Sequence, residues 1–234
     1  MAKKKYVLIS LVTRKKMNQE PYGRKILSLF YDHYSELAPQ YANFYEPINK
    51  PVNTVEGALA FWEDEMFLCR RRNLVAGWWH VSEDISKVGR IKFEYDWNKK
   101  VDWFKLFYDL VMISEAYFGY VHVFTEREIE PAAIGSSISA FQMGAAGFHL
   151  KKGIPQLGWA HYFGEEYVKE IDVPLLQKHG FDVQKFGEGY VFHITDKLSD
   201  VIDNYEHFDE RRKLLKSLFR PTLFQKYAKY EHES

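Results

Sequence analysis

The groups through which this chain could do acid–base or metal chemistry are nine histidines and thirty-two acidic residues. His149, His161 and His193, with Glu165 or Glu166, come nearest to a metal-ligand pattern. A metallohydrolase needs ligands at fixed spacing, as in H-E-x-x-H, and the chain has no such spacing. A chance cluster is the better reading. A nucleophilic enzyme needs an activated Ser or Cys. No G-x-S-x-G occurs, and the one cysteine, Cys69, has no assigned histidine partner and reads as a buried, inert thiol. Gly144–Gly147 (GAAG) lacks both the G-x-G-x-x-G and the P-loop spacing, so no phosphate cradle is expected. The expectation is a protein without catalytic residues, metal or cofactor.

Recognition of a partner is the chemistry the residues suit better. Carboxylates stand beside aromatics at two places: Trp62, Glu63, Asp64 and Glu65, then Tyr162, Glu165, Glu166 and Tyr167. Sixteen tyrosines and six tryptophans exceed what a core alone asks for, and such rings beside charged rims are the composition of binding surfaces. Exposed carboxylates steer association and set specificity. These eight residues are the expected partner-binding set. The bland readings are a solvated amphipathic helix for the first place and an ordinary turn for the second.

The second place closes the stretch Lys151–Tyr167, KKGIPQLGWAHYFGEEY. Gly153-Ile154-Pro155 predicts a turn, since Pro fixes φ and disfavours helix in the residue before it. Leu157–Phe163 predicts a strand ended by Gly164, and Glu165–Ile171 a helix with acid at its positive end. Upstream, Lys5–Thr13 is apolar on both faces and predicts an interior strand. Tyr22–Leu37 predicts an amphipathic helix, with His33 hydrogen-bonded at the core edge. Thr54 is placed to cap a helix running through Phe67. Leu74–Val81 and Gly89–Tyr95 predict a hairpin, Val101–Tyr117 a helix, Tyr120–Thr125 a strand, and Ile138–Leu150 a short helix. Val173–His179 predicts a helix, Gly187–Gly189 a turn, Tyr190–Thr195 a strand and Ser199–Phe219 a long helix. The expected fold class is α/β (mixed α+β), a single domain over residues 1–234 with a polar tail after about 221. Its central mixed sheet should hold Tyr6–Val12, Tyr120–Thr125, Leu157–Phe163 and Tyr190–Thr195, with helices packed on it.

Thirty-two Lys and Arg balance thirty-two Asp and Glu, which argues against a dedicated nucleic-acid binder. One cysteine excludes an intrachain disulfide and a thiolate-rich zinc site. The first sixteen residues, MAKKKYVLISLVTRKK, lack the long apolar region and cleavage site of a signal peptide, and no stretch approaches the ~20 apolar residues of a membrane span. A cytoplasmic location, with no membrane partner, is expected.

GIPQLGWAHYFGEEYV, with FGYVHVFTE before it and YVFHIT after it, resembles the family called immunity protein 52 of bacterial polymorphic-toxin systems. The resemblance covers roughly Lys5 to Thr195 as a pattern of elements. Its specific part is the aromatic-Gly-acid run at Trp159, Tyr162, Phe163, Gly164 and Tyr167. It implies a small cytoplasmic protein that is not an enzyme and that binds and neutralises a cognate toxin, often a nuclease of restriction-endonuclease-like fold. It implies nothing for Ser199–Ser234. The other readings are a metal-dependent hydrolase and a structural adaptor of phage or secretion origin.

Overall fold

Strand β1 (Tyr6–Thr13) is apolar on both alternating faces and, after Tyr6, buried on both. Its place explains this. It lies between β6 (Gly89–Asp96) and β7 (Ala116–Phe124), antiparallel to each. The computed structural model describes residues 5–44, 47–62, 67–71, 77–83, 89–129, 153–154 and 156–224. Among these, ten strands form one sheet. The others are β2 (Tyr41–Asn43), β3 (Lys50–Pro51), β4 (Phe67–Arg71), β5 (Gly77–Glu83), β8 (Ala160–Phe163), β9 (Val183–Phe186) and β10 (Gly189–His193). The order is β3-β2-β4-β5-β6-β1-β7-β8-β10-β9.

The mixed α+β class is observed, and the four strands expected at the centre are neighbours as β1-β7-β8-β10. The sheet itself is antiparallel rather than mixed: each of its strand pairings runs that way. Parallel neighbours need long crossovers. Here β4-β5-β6 and β9-β10 simply reverse direction, the latter at Gly187-Glu188, where Gly187 takes φ 52°.

Helices cover both faces. On one, Val7, Ile9 and Leu11 stand in register with Tyr95, Phe93 and Ile91 of β6 and with Val123, Val121 and Gly119 of β7. Helices α1 (Glu20–His33) and α3 (Trp103–Ser114) pack there. The Phe30 ring lies 5.5 Å from Phe93, and Trp103 lies 6.0 Å from Tyr95. Gly119 is needed for this approach, because a Cβ there would sit 2.6 Å from Leu11 and 3.2 Å from Phe107. On the other face, Phe118 stacks near Tyr167 and His122 near Phe208 of helix α7 (Tyr205–Leu218).

Several boundaries differ from the periodicity. Helix α1 stops at His33, which is exposed. The buried residue at that end is Tyr34, whose hydroxyl reaches Asp109 Oδ2 at 2.9 Å. Thr54 does cap, accepting from Gly57 N–H at 3.1 Å, yet helix α2 spans only Val55–Leu59 before the chain turns to bury Trp62. Helix α3 begins at the Asp102 cap and ends at Glu115. Glu165–Glu170 is a 3-10 turn, and helix α5 is Val173–Lys178, following the four-residue α4 (Glu126–Ile129). The long C-terminal helix is broken at Asn204 into α6 (Asp200–Asp203) and α7. Strand β9 is an addition, too short to announce itself. The helix expected over Ile138–Leu150 and the tail beyond Phe224 lie outside the described residues. No helix among the described residues is long and apolar enough to cross a membrane.

Candidate functional site

At the end of the sheet where β1 and β8 stop and β7 starts, the loop from Arg14 to Gln19 meets three other segments. Arg14 Nε donates to Glu165 Oε2 at 3.0 Å, with its guanidinium 4.9 Å from the Tyr117 ring centroid. Lys15 Nζ lies 3.0 Å from Glu115 Oε2, and Tyr22 Oη reaches Glu115 Oε1 at 3.4 Å. The hydrogen bond and charge of Glu115 raise the Lys15 pKa. On α1, Arg24 donates to Glu20 at 2.8 Å and through both η nitrogens to Glu56 of α2. That bond holds the Glu56 carboxyl below its ordinary range and raises Arg24. A cleft of about 250 Å3 opens beside this pair, walled by Leu59 and Ala60.

The result is a rim of alternating sign, Glu165–Arg14, Lys15–Glu115 and Glu20–Arg24–Glu56, with every side chain about half exposed or more. Exposed pairs of this kind contribute only about 0–1 kcal/mol each.

The backbone beneath two of these carboxylates is strained. Glu115 (φ 46°) and Glu165 (φ 42°) are the non-glycine residues with positive φ among those described. The left-handed region costs a residue with a Cβ about 1–2 kcal/mol. Glu115 occupies the left-handed cap of α3, its N–H directed at Met112 O and Val111 O, where glycine is the usual residue. Consecutive residues of one loop, Arg14 and Lys15, therefore pair with the two strained glutamates.

Of the eight expected partner-binding residues, Glu165 alone is placed at this rim as a described side chain, and its carboxylate is already paired. Trp62 is a correction. It is 1% exposed, its indole N–H donates to Met17 O at 2.6 Å, and its ring fills the space above Gly23, where a Cβ would meet it at 2.4 Å. Tyr162 and Tyr167 are corrections too. Tyr162 packs its ring 5.7 Å from Phe186, and burial raises its pKa. Tyr167 lies 4.7 Å from Phe118 and 5.3 Å from Phe163. Large rings gain more from burial than an exposed position offers. Glu166 belongs to the 3-10 turn, and Glu63, Asp64 and Glu65 lie outside the described residues. Arg14, Lys15 and Glu115 were missed. The basic run after β1 is visible in the sequence, but nothing local assigns it partners 151 and 100 residues away.

The histidines do not converge. His161 is fully buried, stands opposite Phe192 in register and accepts Gly158 N–H at Nε2. His193 is one residue on from Phe192 and so on the other face, its ring stacked on Trp159. His149 lies outside the described residues. Among the described residues no group of three or more His, Cys, Asp and Glu side chains is placed to hold a metal ion. No protein-family model matches this chain, and no curated protein matches it either.

Proposed function

We propose that the chain is a non-catalytic immunity protein of the cytoplasm, which neutralises a cognate bacterial toxin by binding it through the Arg14–Glu165 rim. The observation that carries this reading is the pair of strained glutamates. Surface ion pairs return little stability, and strained residues persist where surrounding structure holds them for a purpose. At Glu115 and Glu165 the strain fixes where two exposed carboxylates point. A rim of alternating sign favours a partner whose charges alternate in register and repels one whose charges do not, which is how cognate pairing is kept specific.

The aromatic run on which the family resemblance rests builds the core at Trp159, Tyr162, Phe163 and Tyr167. Recognition is therefore assigned to the residues that flank it. In this reading the toxin is a nuclease of restriction-endonuclease-like fold. Because the rim is internally paired, it binds beside the toxin's phosphate-binding cleft rather than filling the cleft as a nucleic-acid mimic.

Titration calorimetry against the product of the neighbouring gene tests this. The double change Arg14→Glu, Lys15→Glu places like charges opposite Glu165 and Glu115 and should weaken binding at least ~100-fold, about 2.7 kcal/mol. Arg14→Gln, Lys15→Gln supplies a variant without repulsion. Unchanged affinity in either folded variant, or no binding by the unaltered chain, would overturn the proposal.

A further inference from the structure

Helix α3 turns one ridge to solvent. Lys105, Tyr108, Met112 and Glu115 follow at intervals of three, four and three residues, so they share one stripe of the helix, and all four are exposed. Tyr108 (38% exposed) and Met112 (56%) are the large hydrophobic side chains left exposed among the described residues. They stand together at the middle of the ridge, with a cation at one end and a carboxylate at the other. We infer that this ridge binds the α3 ridge of a second copy of the chain, with the two helices antiparallel.

Self-complementarity carries the inference. A two-fold axis at the level of Leu110 sets each residue before it level with the residue equally far after it on the other helix. Lys105 then meets Glu115 of the second copy, Tyr108 meets Met112 of the second copy, and each contact occurs twice. Lys105 to Glu115 spans about 15 Å at about 1.5 Å per residue, so a crossing angle of about 20° keeps both ends within reach. A parallel pair would set Lys105 against Lys105 and Glu115 against Glu115. The charges therefore select the antiparallel arrangement. An apolar centre flanked by charges is the anatomy of a protein interface, and the ring and thioether gain by leaving water.

The ridge is ordered in advance. The Tyr108 ring lies 3.8 Å from Phe186 of β9, which holds one side of it in place. Lys105 Nζ is 2.6 Å from Asp109 Oδ2, and Glu115 Oε2 is 3.0 Å from Lys15 Nζ. Both end groups stay more than half exposed and can take a further partner, since an ammonium has three donors and a carboxylate accepts at both oxygens. Side chains already held lose less entropy on association. One helix pair buries less than the ~1,200 Å2 of a stable complex, so the dimer is reversible and depends on concentration. Glu115 also belongs to the rim. Self-association and a partner at the rim therefore compete for its carboxylate, although the dimer does not depend on the immunity reading.

Sedimentation velocity of the full chain, up to about 1 mM, tests this without any toxin. The weight-average sedimentation coefficient should rise reversibly with concentration. Met112→Lys puts two cations into the apolar centre and should weaken association at least ~10-fold. Lys105→Glu and Glu115→Lys each bring like charges together in their own dimer, and each should weaken it severalfold. An equimolar mixture of these two variants restores opposite charges at both ends, and so does the double variant. Both should recover most of the association, which a merely damaged fold would not do. Circular dichroism is the folding control. A chain monomeric throughout that range, full association in folded Met112→Lys, or a mixture no tighter than either charge variant alone would each overturn the assignment.

Discussion

Gly158 donates its backbone N–H to Nε2 of His161 at 2.6 Å, three residues along the same segment, and the accepting imidazole is fully buried. Trp159 does the same to Nδ1 of His122 at 3.2 Å. Two imidazole nitrogens thus hold consecutive amides of the segment that leads into β8. A proton on His161 Nε2 would abolish its acceptor. Burial, reinforced by the nearby His122, pushes the His161 pKa from 6.5 down to about 3.

That depressed pKa predicts an acid-sensitive window. Above pH 6.5 neither the folded nor the unfolded chain carries the proton, and the stability owed to the neutral ring is fully present. Between pH 6.5 and about 3 only the unfolded chain binds it, so stability falls with falling pH by about 1.4 kcal/mol per unit. Urea unfolding at pH 7, 6, 5 and 4 should show this slope. His161→Gln, which keeps an acceptor and cannot titrate, should be shallower by about one proton. Identical slopes in the two proteins would remove His161 as the cause.

Trp62 should behave as a core residue. Its ring is 1% exposed, and its indole N–H closes on Met17 O. Trp62→Ala is expected to cost about 3–5 kcal/mol of folding stability, the range for losing a large buried aromatic. Chemical denaturation measures it. A loss under about 0.5 kcal/mol would mean that the ring is a surface group after all.

The segment after α7 has a structural job that the sequence does not reveal. Glu170, its side chain 5% exposed, takes both the ε and an η nitrogen of Arg220, and Leu223 O accepts Ile154 N–H at 2.8 Å. Arg220→Ala strands a nearly buried carboxylate and should cost about 1–3 kcal/mol, towards the lower end because Arg220 itself is more than half exposed. Adding Glu170→Gln should recover most of the loss. Arg220→Lys should recover little, because it lacks the bidentate fork. Full stability in Arg220→Ala would show the pair to be idle.

The legible parts of this fold were those with short-range causes. Strands β1, β7, β8 and β10 announce themselves because alternation and two-sided apolarity act over a few residues. The Thr54 cap and the Gly187-Glu188 turn are likewise local. The break at Asn204, where the backbone leaves the helical region at φ −141° and ψ 55°, and the 3-10 turn at Glu165–Glu170 leave no mark in the apolar periodicity. The site failed for the same reason. Tyr162 and Tyr167 flank two glutamates and read as a rim, but β8 is buried on both faces, which covers Tyr162, and the tight turn carries Tyr167 inward against Phe118 and Phe163. Arg14 and Glu165 are 151 residues apart, and only the β1-β7-β8 pairing brings them together.

The strained glutamates give the prediction that bears most directly on function. Glu115 caps α3 at φ 46°, a conformation that glycine adopts without penalty. Replacing it relieves about 1–2 kcal/mol of backbone cost and forfeits an exposed pair with Lys15 worth about 0–1 kcal/mol. Glu115→Gly is therefore expected to be more stable than the unaltered chain by about 0.5–1 kcal/mol, read from its urea midpoint at constant m. Glu115→Ala, which keeps the strain and loses the pair, should be slightly less stable. If the carboxylate is retained for a partner, as proposed, the more stable glycine variant should bind that partner at least ~10-fold more weakly, a trade of stability against recognition. A glycine variant less stable than the unaltered chain would show that the cap is not strained. A stabilised variant with full affinity would take Glu115 out of the interface.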